Sequence, residues 1–202
     1  MKIYTCAFLP FAADAPFFAR DSGLLCKALV QLGHDSKVIM PGFPDGRPND
    51  SDAVIRGSMT ELRDPNWWRS LRIEAVAFIC WGFREHTPII RAAAEGGVTT
   101  CAIFDSNCNG FPYFDFFSTI RSNWRKGYLS ESIPERVLGT MARMSVFFVK
   151  GLYQNYHAYN QARAAHLSAY NSQSSFERAK RRARIFGGHE IIPSMRLINP
   201  VV

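Results

Sequence analysis

Two apolar runs restrict what this chain can become. Ala75 to Trp81 reads AVAFICW and Val98 to Phe104 reads VTTCAIF, and the first carries none of the alternation that marks a strand with one wet face. A strand stays apolar on both sides only where both faces are covered, as in a parallel sheet with crossover helices above and below it. The residues between the runs supply such a helix. Thr87 is read as its cap, Pro88 lies in its first turn, Ile89, Ile90 and Ala93 give it an apolar side, and Gly96-Gly97 closes it.

The same grammar opens the chain. Between Cys6 and Gly42 the sequence predicts an apolar strand, a loop from Leu9 to Asp21, a helix opened by Ser22-Gly23 and closed by Gly33, and a second strand from Ser36 to Met40. Ser22 is read as the helix cap, and Leu24, Leu25, Ala28, Leu29 and Leu32 as the face that lies on the sheet. A strand, a turn and a helix N-terminus present free N–H groups and a positive dipole end, where a phosphate can sit. The three-glycine dinucleotide fingerprint is absent, so a tight turn that merely packs the helix stands as an equal reading.

Further along, PGFPDGRPNDSD reads as a surface loop, Ala53 to Arg56 as a short edge strand, and Thr60 to Leu71 as a short helix or loop whose Trp67 and Trp68 pack. Gly82 stops the Ala75 to Trp81 strand. Asp105, Ser106 and Asn107 follow the Val98 to Phe104 strand, at the end where open α/β sheets hold ligands; the same residue types also make ordinary turns. Phe111 to Tyr128, FPYFDFFSTIRSNWRKGY, mixes aromatic and basic residues and suits a lid, a membrane contact or a cover on the core.

Ser132 with Glu135 forms a capping box, and Val137, Leu138, Met141, Met144 and Phe148 recur at helical spacing, which predicts a core-facing helix. Tyr153 to Ala164 continues it with more polar residues and is expected to be partly exposed. Ala165 to Tyr170 reads as a strand ending in Asn171-Ser172. Ser174 with Glu177 forms a second box that starts a basic helix stopped at Gly187, and Ile191 to Val202 is apolar and punctuated by proline. Together these elements predict an α/β fold, a Rossmann-like three-layer sandwich with a mostly parallel sheet, as one domain over residues 1–202.

Composition narrows the partners. A 202-residue chain with 47% hydrophobic residues has core enough for one domain, and a net charge of +7 favours anionic partners: nucleotide, phospholipid surface or nucleic acid. Lys180, Arg181, Arg182 and Arg184 come without an aromatic stacking platform, so they are read as a solvated helix face, and nucleic acid is not the expected partner. No apolar run reaches the roughly 18 residues of a membrane span. MKIYTCAFLPF runs straight into a strand without a secretory cleavage site, so a cytoplasmic location is expected. Five scattered cysteines without a C-x-x-C pair predict buried free thiols and no metal site.

In this order, RDSGLLCKALVQLGHDSKVIMPG, AVAFICWG, AHLSAYNSQSSFERAKRRARIFG and MRLINPVV resemble the N-terminal domain of GT-B glycosyltransferases, most closely the retaining family four, or group 1, enzymes. The resemblance covers nearly the whole chain. It implies an acceptor-side domain that faces a C-terminal domain holding the nucleotide-sugar donor, with the second domain absent from this chain and no transfer by this chain alone. It implies no cofactor in the chain itself.

Carried over position by position, Ser22 and Gly23 match the family's glycine loop near donor phosphate and acceptor, with serine where the family often has glycine. Asp105 stands where many members have a histidine near the transfer point, and Ser106 and Asn107 can hydrogen-bond a sugar hydroxyl beside it. Trp81, Gly82 and His86 lie near the same edge, and Asn171 and Ser172 match a cleft-facing pair. The implied partner is a glycan or lipid-linked acceptor, with an anionic membrane surface as a further contact at the inner face of the membrane. A stand-alone Rossmann-like module that binds a nucleotide or another anion without catalysis is the alternative.

Overall fold

The computed structural model describes residues 1–19, 21–43, 52–104 and 133–198. Among them the apolar runs become β1 (Ile3–Cys6), β2 (Val38–Pro41), β3 (Val54–Gly57), β4 (Ala75–Cys80), β5 (Thr99–Phe104), β6 (Leu167–Tyr170) and β7 (Met195–Leu197). They form one seven-stranded sheet in the order β3-β2-β1-β4-β5-β6-β7. Every pairing is parallel, so the expected α/β Rossmann-like sandwich is the observed fold. The chain moves outward in one direction from β1 to β3 and in the other from β4 to β7, which puts the switch point between β1 and β4.

Six α-helices accompany the described strands: α1 (Ala15–Phe18), α2 (Asp21–Gln31), α3 (Pro65–Ser70), α4 (His86–Glu95), α5 (Ile133–Ala164) and α6 (Gln173–Ile185). Side-chain parity assigns them to layers, because successive strand residues point to opposite faces. Cys6, Ile39, Phe78 and Phe104 share a core with Trp68 of α3, Ile90 of α4, Ala158 of α5 and Ala183 of α6. Val38 and Met40, one residue to either side of Ile39, instead pack with Phe17 of α1 and Cys26 of α2. The tryptophan pair packs as expected: Trp68 is fully buried and its Nε1 donates to the Leu62 carbonyl at 2.9 Å.

Local details depart from the sequence reading where packing outvotes pattern. The loop before α2 contains α1, capped by Asp14, whose Oδ1 accepts from the Phe17 N–H at 2.9 Å. Ser22 is not a cap: α2 starts at Asp21, and the residues it buries are Ser22, Gly23 and Cys26. Leu24 and Leu32 are exposed instead, since small side chains let the helix sit closer to the sheet than a leucine face would. Thr87 lies inside the first turn of α4, and the Glu85 side chain at the cap position makes no capping bond. Ser172 rather than Ser174 caps α6, its Oγ accepting from the Ser175 N–H at 3.2 Å.

The largest departure is in α5. Its 32 residues extend about 48 Å at 1.5 Å per residue, against roughly 20 Å for the six residues of β5. Its C-terminal third packs into the core it shares with α4 and α6, and there Ala158, Tyr159, Gln161 and Ala162 are buried. The apolar N-terminal portion, expected to face the core, leaves Leu138 73% and Met141 64% exposed. The loop PGFPDGRPNDSD falls mostly, and the Ser132 cap wholly, outside the described residues.

One buried side chain ties α5 to the end of β4. Gln161 is fully buried; its Oε1 accepts from the Gly82 N–H at 3.2 Å and its Nε2 donates to the Phe83 carbonyl at 2.7 Å. Gly82 holds φ at +69°, and a Cβ there would come within 2.8 Å of the Gln154 carbonyl oxygen, so glycine is required on both counts. Gln161→Leu keeps the volume and strips two backbone groups of their partner. It is expected to lower stability by about 2 kcal/mol in urea unfolding; an unchanged midpoint would show that water replaces the amide at no cost.

Candidate functional site

A doubly wound sheet holds ligands outside the carboxyl ends of its strands, at the switch point. Here that point lies where the chain leaves β1 through Ala7 and Phe8 and leaves β4 through Trp81. The crevice is nearly closed. Phe8, Phe11, Phe17, Ser22, Ile79 and Trp81 surround a cavity of about 10 Å³, room for about one water molecule.

The predicted phosphate loop is committed to packing. Ser22 Oγ donates to the Cys6 carbonyl at 3.2 Å, and Thr5 Oγ1 donates to the Ser22 carbonyl at 2.9 Å, so β1 and α2 are stitched together at this end. A Cβ on Gly23 would lie 2.8 Å from Phe18 Cα and closer still to the Phe17 carbonyl oxygen. Glycine therefore lets α1 cross the N-terminal turn of α2, and backbone occupies the space beside it. Asp21, which opens the helix, holds a left-handed φ of +50°.

Trp81, Gly82 and His86 come together with this cluster through Phe8. The His86 ring stacks on Phe8 with centroids 3.6 Å apart and planes within 5°, and Phe83 meets its edge at 5.5 Å. Its Nδ1 has no hydrogen-bond partner among the described residues. Burial lowers its pKa to about 3, so the imidazole is neutral at ordinary pH. Asn171 and Ser172 lie two strands away, after β6; Ser172 Oγ is engaged as the α6 cap and donates to Ser175 Oγ at 2.8 Å. Asp105, Ser106, Asn107 and the aromatic segment 111–128 fall outside the described residues.

A larger hollow lies one layer out, between α4 and α5. It measures about 510 Å³ and is lined by Arg84, Thr87 and Arg91 on one side and Tyr153, His157 and Asn160 on the other. That size is in the range of small-molecule sites, about 300–1,000 Å³. None of these residues stands out as a site in the sequence. The available signal was spacing: Tyr153, His157 and Asn160 share one face of α5, and Arg84 and Arg91 flank the first two turns of α4. The imidazole of His157 is held below its ordinary pKa, first by burial and then by the Arg84 charge, with Glu85 opposing.

The remaining titratable groups offer little chemistry. Cys6, Cys26, Cys80 and Cys101 are free thiols, and burial raises the pKa of Cys6, Cys26 and Cys101. Among the described residues no group of three or more His, Cys, Asp or Glu side chains can hold a metal ion. The basic run on α6 is not uniformly solvated: Arg182 is buried, and Lys180 bonds Glu177 at 3.2 Å while lying over the Phe176 ring. The described edge thus supplies shape and hydrogen-bonding backbone, and the α4–α5 groove supplies positive charge. No protein-family model matches the chain, and neither a curated protein nor a solved structure matches it.

Two substitutions separate packing from ligand binding at the crevice. Gly23→Ala forces α1 off α2 and is expected to cost about 2 kcal/mol or more of stability with no ligand present; full stability would mean that α1 is loosely held. For His86, unfolding returns the pKa to about 6.5, so below that pH the unfolded state binds the extra proton and the native state loses stability. The loss runs from about pH 6.5 towards pH 3 at up to about 1.4 kcal/mol per pH unit and is absent above it. His86→Phe keeps the stack and should flatten the urea midpoint across that range; an unchanged slope would assign the titration to another group.

Proposed function

We propose that the chain is the acceptor-side domain of a GT-B glycosyltransferase, which receives a glycan or a lipid-linked acceptor at the carboxyl edge of its sheet. The observation that carries this reading is the all-parallel order β3-β2-β1-β4-β5-β6-β7, which brings Ser22-Gly23, Trp81-Gly82 and Asn171-Ser172 to one edge of the sheet. In addition, β7 runs parallel to the rest and leads through Leu197 to Ile198 at that same edge. A second domain joined there would face the crevice directly.

In this reading the nucleotide-sugar donor belongs to the second domain, and the chain contributes positioning. Asp105, Ser106 and Asn107 follow β5, the strand next to β4, and would hydrogen-bond an acceptor hydroxyl; Asp105 is the residue assigned to the transfer point. Positive charge and backbone donors would stabilise the departing nucleotide phosphate, and the acceptor would be held on the same face of the sugar. A crevice with room for one water suits half of a site whose other wall comes from the partner domain. The location proposed is the cytoplasm, with contact at the inner membrane surface when the acceptor is lipid-linked. Among the described residues no helix is long and apolar enough to cross a membrane.

The alternative, a stand-alone anion-binding module, draws its support from the arginine-lined groove between α4 and α5. Binding experiments divide the two. The glycosyltransferase reading expects the purified chain to retain a subset of glycans on an array, or lipid-linked sugars in vesicles, and to leave a panel of nucleotide sugars unhydrolysed and untransferred. Turnover of a nucleotide sugar by this chain would overturn it, and submicromolar binding of UDP or GDP with no glycan or lipid-linked sugar retained would favour the module.

A further inference from the structure

The groove between α4 and α5 is distinct from the switch-point crevice, and its lining has one chemical character. Arg84 and Arg91 are both exposed, and neither guanidinium has an ion pair or hydrogen bond among the described residues. Asn160 adds an amide, and Tyr153 a phenol whose ring meets the His157 imidazole at 4.3 Å. Among the described residues no carboxylate lines the hollow; Glu85 is adjacent, between Arg84 and the start of α4.

Two further observations point the groove towards an anion. The first turn of α4 has no side-chain cap, and Thr87 and Pro88 of that turn line the hollow, so the positive end of the helix dipole is directed at it. Thr87 Oγ1 is shielded from solvent and has no hydrogen-bond partner among the described residues, although a buried hydroxyl normally finds one. Charge, planar guanidinium donors and free hydroxyl donors are the set that recognises phosphate. The floor is rigid: the Gln161 amide clamps the Gly82–Phe83 backbone just before Arg84, and α4 and α5 share a core through Ile89, Ile90, Ala158 and Ala162.

We propose that this groove binds a phosphate group, carried by a soluble phosphoester or by a lipid headgroup, between Arg84 of the turn before α4 and Arg91 of α4 on one side and His157 and Asn160 of α5 on the other. The assignment does not depend on the glycosyltransferase reading. A phosphate anion at this place adds negative charge beside an imidazole whose other charged and titratable neighbours among the described residues are Arg84, Glu85, Arg91, Tyr153 and Tyr156. Binding therefore raises the affinity of His157 for a proton, and phosphate binds more tightly as the pH falls through the imidazole range.

The test is an NMR titration of the isotope-labelled full chain with inorganic phosphate and with glycerol phosphate, alongside flotation of the chain with phosphatidylcholine vesicles with and without phosphatidylglycerol. The expected result is a saturable shift of the Arg84, Arg91 and His157 side-chain signals, an upward move of the His157 titration, and at least about a tenfold loss of affinity in Arg84→Ala/Arg91→Ala. Lys27→Ala/Arg184→Ala, which removes the same net charge elsewhere on the exposed surface, should keep full binding. Binding of the soluble esters without vesicle capture identifies a phosphoester site. Vesicle capture that requires phosphatidylglycerol and is lost only in the Arg84/Arg91 variant identifies a headgroup site. Equal loss in both double variants, or no saturable shift at millimolar phosphate with no vesicle capture, overturns the assignment.

Discussion

The buried amide of Gln161 is the contact on which the arrangement of the carboxyl edge depends. It joins α5 to the turn after β4 across 79 residues of sequence, using its oxygen for the Gly82 N–H and its nitrogen for the Phe83 carbonyl. Those backbone groups are stranded where β4 ends and α4 has not begun, and an apolar side chain could satisfy neither. Because the turn is held, Arg84 emerges on the groove side and His86 turns inward onto Phe8. One side chain thus separates a charged outer groove from an aromatic inner wall.

The inner wall shows how a sheet edge can be built for contact and remain shut. Ser22, Gly23 and Cys26 are small enough for α2 to lie tightly on the sheet, and the same smallness allows α1 to cross the first turn of α2. Polar atoms at the crevice are spent on one another: Thr5 on Ser22, Ser22 on Cys6. The outer groove is the opposite case. Its guanidinium groups and the Thr87 hydroxyl are unspent among the described residues, and unpaired donors of that kind are where an added anion gains most.

Legibility followed burial symmetry. AVAFICW could be read as a strand covered on both faces because its pattern is symmetric, and β4 is the strand at the switch point, with neighbours on both sides and helices on both faces. The helix ends at Gly33 and Gly187 were likewise local and came out at the expected places. Asymmetric elements were harder. The leucines of α2 and the apolar residues at the start of α5 form regular helical stripes, yet Leu24, Leu32, Leu138 and Met141 are exposed. Periodicity reveals that a helix has a side, whereas the space available over the sheet decides which side is used. The groove was harder still, since Arg84 and Asn160 are far apart in sequence and unremarkable in each place.

The residues alone therefore specify the set of elements and their parallel mode of assembly. Apolar runs too uniform for an exposed face, alternating with helices ended by glycine, admit few architectures besides a doubly wound sheet. Tertiary structure alone decided how far α5 overlaps the helical layer, and which of its faces is buried. It also decided that a polar glutamine lies in the core, that Ser22 and Gly23 serve packing, and that an arginine before α4 and one within it face the imidazole and amide of α5. Each of these depends on distances between residues remote in the chain, set by the closeness with which small side chains allow the layers to approach.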